Sequence, residues 1–169
     1  VPIINAGDGS GEHPTQALLD IYTMARSFKD HGGIDGKTIA LVGDLKRGRT
    51  VRSLAKLMRH YHDMMLLLVS PPAFRMQQDI LDHLDSHRDR VRYEVVDDLR
   101  AAVCRADAVY MTRVQDEHDV DGESAKVSIN DFCFTPEHLT LLRPEGVVMH
   151  PGPRRQELDL RCDDDPRVK

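Results

Sequence analysis

The sequence has little of what marks several broad classes of protein. No apolar run is long: Met64 to Val69 is the longest and falls far short of the about 20 residues that cross a bilayer. There are three cysteines, Cys104, Cys133 and Cys162, odd in number and without C-x-x-C spacing. That pattern speaks against a disulfide framework or a zinc site and for reduced thiols in a cytoplasmic protein. No charge dominates: 23 Lys and Arg face 28 Asp and Glu, a formal net charge of -5, with the basic residues interleaved among acidic ones. A nucleic-acid partner is therefore not expected, nor is a membrane. Val1-Pro2-Ile3-Ile4 has no basic n-region and no initiator Met, so we expect no signal peptide and read the chain as a fragment or one lacking upstream residues. There is no internal repeat, no low-complexity tract, no G-x-x-x-x-G-K-S/T and no G-x-G-x-x-G, so nucleotide binding is weakly supported.

What is present is ordinary globular composition, 40% apolar and 30% charged over 169 residues, enough for one core. Short apolar runs alternate with helical patterns. Thr38 to Val42 reads as a buried strand entering Gly43-Asp44, and Thr50 to His62 as a helix carrying Val51, Leu54, Leu57 and Met58 at helical spacing. Met64 to Val69 is a second strand, stopped by Ser70-Pro71-Pro72, and Gln77 to His87 a helix with Ile80, Leu81 and Leu84 on one face. Strands at Val91 to Val95, Ala108 to Thr112 and Val147 to Met149 follow, with short helices at Leu99 to Cys104 and Pro136 to Leu142 and a polar loop from Asp116 to Asn130. This order predicts an α/β fold, a doubly wound parallel sheet of about five strands with ligands bound beyond the strands' carboxyl ends. Val1 to Asn5 reads as a strand end, and His13 opens a helix to about Lys29 that joins residues 1–29 to a main domain at 30–160. Residues 161–169 read as a polar turn without a hydrophobic anchor.

The chemically suggestive residues follow the strands. Glycines before His13-Pro14-Thr15-Gln16 permit a tight turn into a helix start, which favours anions, and His13 and Gln16 share a face suited to one carbonyl and one amide. A capping loop with an exposed His is the plain alternative. Arg49 stands near a helix start, against the helix dipole, which hints at function over a merely solvated turn. Arg113, with Gln115 two residues on, leaves the fourth strand; two arginines at neighbouring strand ends suit a small dicarboxylate, although polar strand exits are common. In His150-Pro151-Gly152-Pro153 the carbonyls around the prolines are acceptors for an NH2 group, or the segment is simply a rigid turn. His83 and His87 are spaced for a metal but lack a third ligand, so no metal is expected.

Taken in order, these segments resemble the transcarbamoylases, and specifically the aspartate carbamoyltransferases. Asn5-Ala6-Gly7-Asp8-Gly9 with His13 to Asp20 is similar to the family's carbamoyl-phosphate segment. Val42 to Leu54 and Tyr110 to Gln115 are similar to the aspartate-specific members, and His150 to Arg154 to the carbamoyl-binding turn. The resemblance covers nearly the whole chain. It implies the aspartate-binding domain of a Rossmann-like fold and transfer of a carbamoyl group from carbamoyl phosphate to L-aspartate, in pyrimidine biosynthesis, without metal or organic cofactor. It implies that His13 polarises the carbamoyl carbonyl, Gln16 orients the amide, the carbonyls near Gly152 and Pro153 bind the NH2 group, and Arg49, Arg113 and Gln115 hold aspartate. Homotrimers, regulatory subunits and fused pyrimidine enzymes are the partners it suggests. Three departures stand out. The family's Ser-Thr-Arg-Thr-Arg phosphate clamp is absent, a terminal helix expected after Lys169 is absent, and Asp116-Glu117-His118 replaces Lys-Glu-Arg, making that loop's closure doubtful or pH-dependent. The chain alone is therefore expected to be inactive. An ornithine-type enzyme would carry a different amine-substrate motif and a Cys in the last turn; a non-catalytic binding module is the other alternative.

Overall fold

The computed structural model describes residues 2–9, 11–115 and 132–169; the segment Asp116 to Asn130, including Asp116-Glu117-His118, lies outside the described residues. Among the described residues five parallel strands form one sheet: β1 (Thr38–Val42), β2 (Met64–Val69), β3 (Val91–Val96), β4 (Ala108–Met111) and β5 (Val147–Met149), in the order β3-β2-β1-β4-β5. The register pairs Val42 with Val69 on one side and with Met111 on the other, so the carboxyl ends of β1, β2 and β4 are level. β1, β2 and β4 are buried almost throughout, as parallel central strands must be, whereas β3, at an edge, is buried only at its ends, Val91 and Val96.

Side-chain alternation divides the core into two layers. Ile39, Leu41, Leu66, Leu68 and Tyr110 face α1 (Pro14–Ser27), α2 (Arg49–Leu57) and α3 (Gln78–Asp85). Ala40, Val42, Leu67, Val69, Val109 and Met111 face α4 (Leu99–Arg105) and α5 (Pro136–Leu139). Helices on both faces of a parallel sheet, with strand order reversing between β1 and β4, define the doubly wound architecture. The reversal opens a crevice beyond the exits of β1 and β4, because the helices that follow them, α2 and α5, pack on opposite faces of the sheet.

Gly43 makes that crevice possible. Its φ is +112°, and a Cβ there would lie 2.1 Å from the Thr112 carbonyl oxygen. Only glycine lets the two strand exits approach so closely. Thr112 reinforces the contact, its N–H and its hydroxyl both donating to the Val42 carbonyl at 2.8 Å.

Two expectations are corrected. Residues 2–5 form no strand, since among the described residues no strand pairs with them, and Ile3 and Ile4 stand exposed. The last residues are anchored after all: Leu158 and Cys162 are buried, and Val168 bridges Val148, with the Lys169 N–H donating to the Val148 carbonyl at 2.9 Å. Polar composition concealed this because backbone groups beside β5 supply most of the attachment. Helix bounds also contract. The second helix ends at Leu57 and tightens into a 3-10 turn over Met58–His60, and the first ends at Ser27, before Gly32 and Gly33.

Candidate functional site

A cavity of about 540 Å³ lies over the carboxyl ends of β1, β4 and β5. Its walls contain His13, Gln16, Arg49, Arg113, Gln115, Gly152 and Pro153 together, with Gly9, Thr50, Thr112, His150 and Pro151 completing them. Residues more than a hundred positions apart in sequence thus meet in one place, which no local pattern reveals.

The α1 wall is built around a helix start. His13 is the N-cap of α1 and Pro14 its first residue, where a missing N–H costs nothing. His13 Nδ1 accepts from the Gln16 N–H at 3.4 Å, so in the neutral ring the proton sits on Nε2. The His13 N–H donates to Ser53 Oγ at 2.9 Å, and Ser53 and Lys56 of α2 both bond the Glu12 carboxylate, which ties the entry loop to α2. Gln16 donates from Nε2 to Asp20 Oδ1 at 2.9 Å, and Tyr110 donates its hydroxyl to Asp20 Oδ2 at 2.7 Å. An ionised carboxylate only accepts, so Asp20 fixes which end of the Gln16 amide is nitrogen and leaves Oε1 as the end able to accept from a ligand. Burial pushes the Asp20 carboxyl above its ordinary range, with hydrogen bonds from Tyr110 and Gln16 opposing the shift. Burial, with the Asp20 charge beside it, likewise raises Tyr110.

The two arginines leave adjacent strands. Arg49 is the first residue of α2, and its Nη1 donates to the Gly9 carbonyl at 2.8 Å. A Cβ on Gly7 would stand 3.1 Å from that Nη1, so glycine there admits the guanidinium against the loop. Arg113 follows β4, donating to the Val114 carbonyl at 3.1 Å. The buried Asp44 joins the two exits: it accepts from the Arg47 N–H at 3.0 Å, from Arg47 Nε at 2.7 Å and from the Gln115 N–H at 3.2 Å. The Arg47 guanidinium lies over the Phe74 ring, 4.5 Å from its centroid.

The β5 wall is the turn His150–Pro153, whose Gly152–Pro153 peptide is cis. His150 bonds Glu157 through Nε2 at 2.8 Å and receives the Gly152 N–H on Nδ1 at 2.9 Å. Burial works against the Glu157 charge. Even so, hydrogen bonds from His150 and from the Arg155 N–H leave its carboxyl below the usual glutamate range. Sequence reading missed Glu157, Asp20, Tyr110, Asp44 and Ser53. Glu157 lies in a polar tail, and Asp20 and Ser53 sit on helices where a polar residue ordinarily faces solvent. A polar residue flanked by apolar ones on a buried helix face was the available signal. Among the described residues no group of three or more His, Cys, Asp or Glu is arranged to hold a metal.

Fold and cavity define an α/β domain with a polar cavity, walled by two arginines and two histidines, at a topological switch point. Comparison with known proteins makes the class specific. Residues 35–169 match the family model described as aspartate/ornithine carbamoyltransferase, Asp/Orn binding domain, and residues 1–26 match its carbamoyl-P binding domain. The chain belongs to the aspartate/ornithine carbamoyltransferase family. It is 42% identical over 171 residues to aspartate carbamoyltransferase 1, chloroplastic, of Pisum sativum, covering 99% of this chain and 42% of that protein. It is 45% identical over 167 residues to the multifunctional protein CAD of Squalus acanthias, covering 99% of this chain and 7% of that one. Among solved structures, aspartate transcarbamoylase from Trypanosoma cruzi in complex with N-(phosphonacetyl)-L-aspartic acid superposes with a TM-score of 0.85 at 38% identity. That match covers 99% of this chain and 53% of the other. The chain thus spans about half, or less, of the length of the relatives it matches.

Proposed function

We propose that this chain is the aspartate-binding part of an aspartate carbamoyltransferase, which transfers the carbamoyl group of carbamoyl phosphate to L-aspartate in pyrimidine biosynthesis. The observation that carries the reading is the convergence of Arg49, Arg113, His13, Gln16 and the 150–153 turn on one cavity. Two guanidinium groups at neighbouring strand exits match two carboxylates, and Gln115 adds a further polar contact. His13 Nε2–H donates to the carbamoyl carbonyl oxygen and stabilises the negative charge that develops there. Gln16 Oε1 and the carbonyls of the turn near Gly152 and Pro153 accept from the carbamoyl NH2 group.

The aspartate amine then attacks the carbamoyl carbon, the bond to the phosphate oxygen breaks, and the departing phosphate takes the amine proton. No strong protein base is required, so rate enhancement comes from positioning and electrostatics. The phosphate itself needs cations beyond the two arginines assigned to aspartate, and the Ser-Thr-Arg-Thr-Arg segment that would supply them is absent from this sequence. We extend the proposal to a homotrimer that completes the site, with fused pyrimidine enzymes or a regulatory subunit as partners, and to a cytoplasmic protein on the strength of three cysteines that form no disulfide. No helix among the described residues is long and apolar enough to cross a membrane.

The test is formation of N-carbamoyl-L-aspartate by the full-length protein, with calorimetric titration of N-(phosphonacetyl)-L-aspartate beside it. Turnover and tight binding are expected; neither would leave a non-catalytic module. Arg113→Ala should raise the KM for aspartate by roughly a hundredfold, the scale of losing a buried charge pair, and an unchanged KM would refute its role. The 169-residue chain by itself should make no product.

A further inference from the structure

The wall that follows β5 contains a buried charge that the proposed chemistry does not use. The Glu157 side chain is 7% exposed and that of His150 5%. The backbone around Glu157 is rigidly held: the Phe134 N–H donates to the Glu157 carbonyl at 2.8 Å, and the Asp159 N–H donates to the Phe134 carbonyl at 2.9 Å, on either side of the buried Leu158. From this base one carboxylate oxygen, Oε1, receives two donors, His150 Nε2 and the Arg155 N–H, each at 2.8 Å.

The other side of the imidazole faces a backbone N–H. Gly152 donates to His150 Nδ1 at 2.9 Å. A backbone N–H can only donate, so Nδ1 holds a lone pair; an ionised carboxylate can only accept, so the proton is on Nε2. Both neighbours demand the same neutral tautomer. The consequence reaches the cavity through peptide geometry. The Gly152 N–H and the Pro151 carbonyl belong to one planar trans unit and point in opposite directions. Holding the N–H against His150 therefore turns the Pro151 carbonyl away from the ring, and Pro151 and Gly152 both line the cavity.

We propose that Glu157 is a positioning residue: through the Nε2–H tautomer of His150 it sets the plane of the Pro151–Gly152 peptide, and with it the carbonyl acceptor offered to an NH2-bearing ligand. The inference rests on reading this turn as the carbamoyl-binding element. Because Oε1 accepts both bonds, the role belongs to the acceptor oxygen and not to the charge. Gln, which keeps that oxygen, substitutes for Glu; Ala does not.

Two measurements on the full-length protein test this. The first needs neither a variant nor activity. The 15N shifts of the His150 ring near neutral pH should show an unprotonated Nδ1 and a protonated Nε2. The opposite tautomer, or a doubly protonated ring, overturns the proposal. The second is steady-state kinetics of Glu157→Ala and Glu157→Gln. Glu157→Ala should raise the KM for carbamoyl phosphate roughly tenfold, the scale of a lost buried hydrogen bond to a charged group. The KM for aspartate at saturating carbamoyl phosphate should move far less. Glu157→Gln should stay within about threefold of the parent in both. Equal impairment of the two variants, or equal change in both Michaelis constants, refutes the relay. If the unmodified protein makes no carbamoyl aspartate, the functional reading fails, while the ring nitrogens still decide whether His150 is held as described.

Discussion

Asp20 on α1 and Glu157 beyond β5 are both carboxylates, 4% and 6% exposed, and each steadies one wall of the same cavity. Their electrostatics run in opposite directions. Asp20 is surrounded by an amide and a phenol, donors that do not offset burial, and its carboxyl is raised. Glu157 has an imidazole and a backbone N–H on a single oxygen, and its carboxyl is lowered in spite of burial. Burial alone therefore does not say what a buried acid does; the kind and placement of its donors decide. Both walls use the same device otherwise, a buried acceptor that fixes the orientation of a neighbouring polar group.

The comparison can be tested from the Asp20 side by removing the carboxylate outright. Asp20→Ala leaves the Gln16 amide and the Tyr110 hydroxyl without their buried acceptor and should cost about 3 kcal/mol of stability in chemical denaturation; a loss under about 1 kcal/mol would mean that the donors find other partners. Asp20→Asn is milder and more informative. It supplies one acceptor and one donor, so the Gln16 amide can turn its oxygen inward and its NH2 group toward the cavity. We expect the KM for carbamoyl phosphate to rise about tenfold, one misplaced hydrogen bond. Wild-type kinetics would show that Gln16 is not oriented by Asp20.

The smallest effect is the pH response, and its two signs differ. A carboxyl lowered in the folded state contributes stability above the unfolded-state pKa and loses it as pH falls through its folded value. Glu157→Gln should therefore flatten the decline of stability below about pH 5. A carboxyl raised in the folded state behaves oppositely: its burial penalty is relieved as pH falls through its folded value toward the ordinary one. Asp20→Asn removes that relief and should steepen the decline. Denaturation at a series of pH values reads both slopes, and parallel slopes would abolish the contrast.

Much of the fold was legible because strands and helices differ in apolar period. Val147–Met149 has the predicted bounds, and the other strands differ from expectation by at most one residue. The errors fall where long-range contacts decide. Ile3 and Ile4 have strand-like composition but pair with no strand among the described residues and stand exposed. Val168 lies in a polar tail but finds the edge of β5. The arginines of the cavity were legible because each breaks a local expectation, Arg49 at a helix start and Arg113 at the end of an apolar strand. Their supporting residues give a weaker signal. Tyr110 reads as one more strand residue, and Asp20 as one more polar position on a helix whose neighbours Leu18, Leu19 and Tyr22 are themselves exposed.

By itself the sequence determined the alternation of strand and helix, the two core faces that follow from it, and the side chains that wait at the strand exits, because periodicity and strand ends are local properties of the chain. The tertiary structure alone decided that those exits converge, since the approach of Gly43 to Thr112 joins strands far apart in sequence. It alone decided which polar groups meet in the interior. Whether Gln16 presents an oxygen, and which nitrogen of His150 holds the proton, depends on acceptors at Asp20 and Glu157 that only folding brings within hydrogen-bond distance.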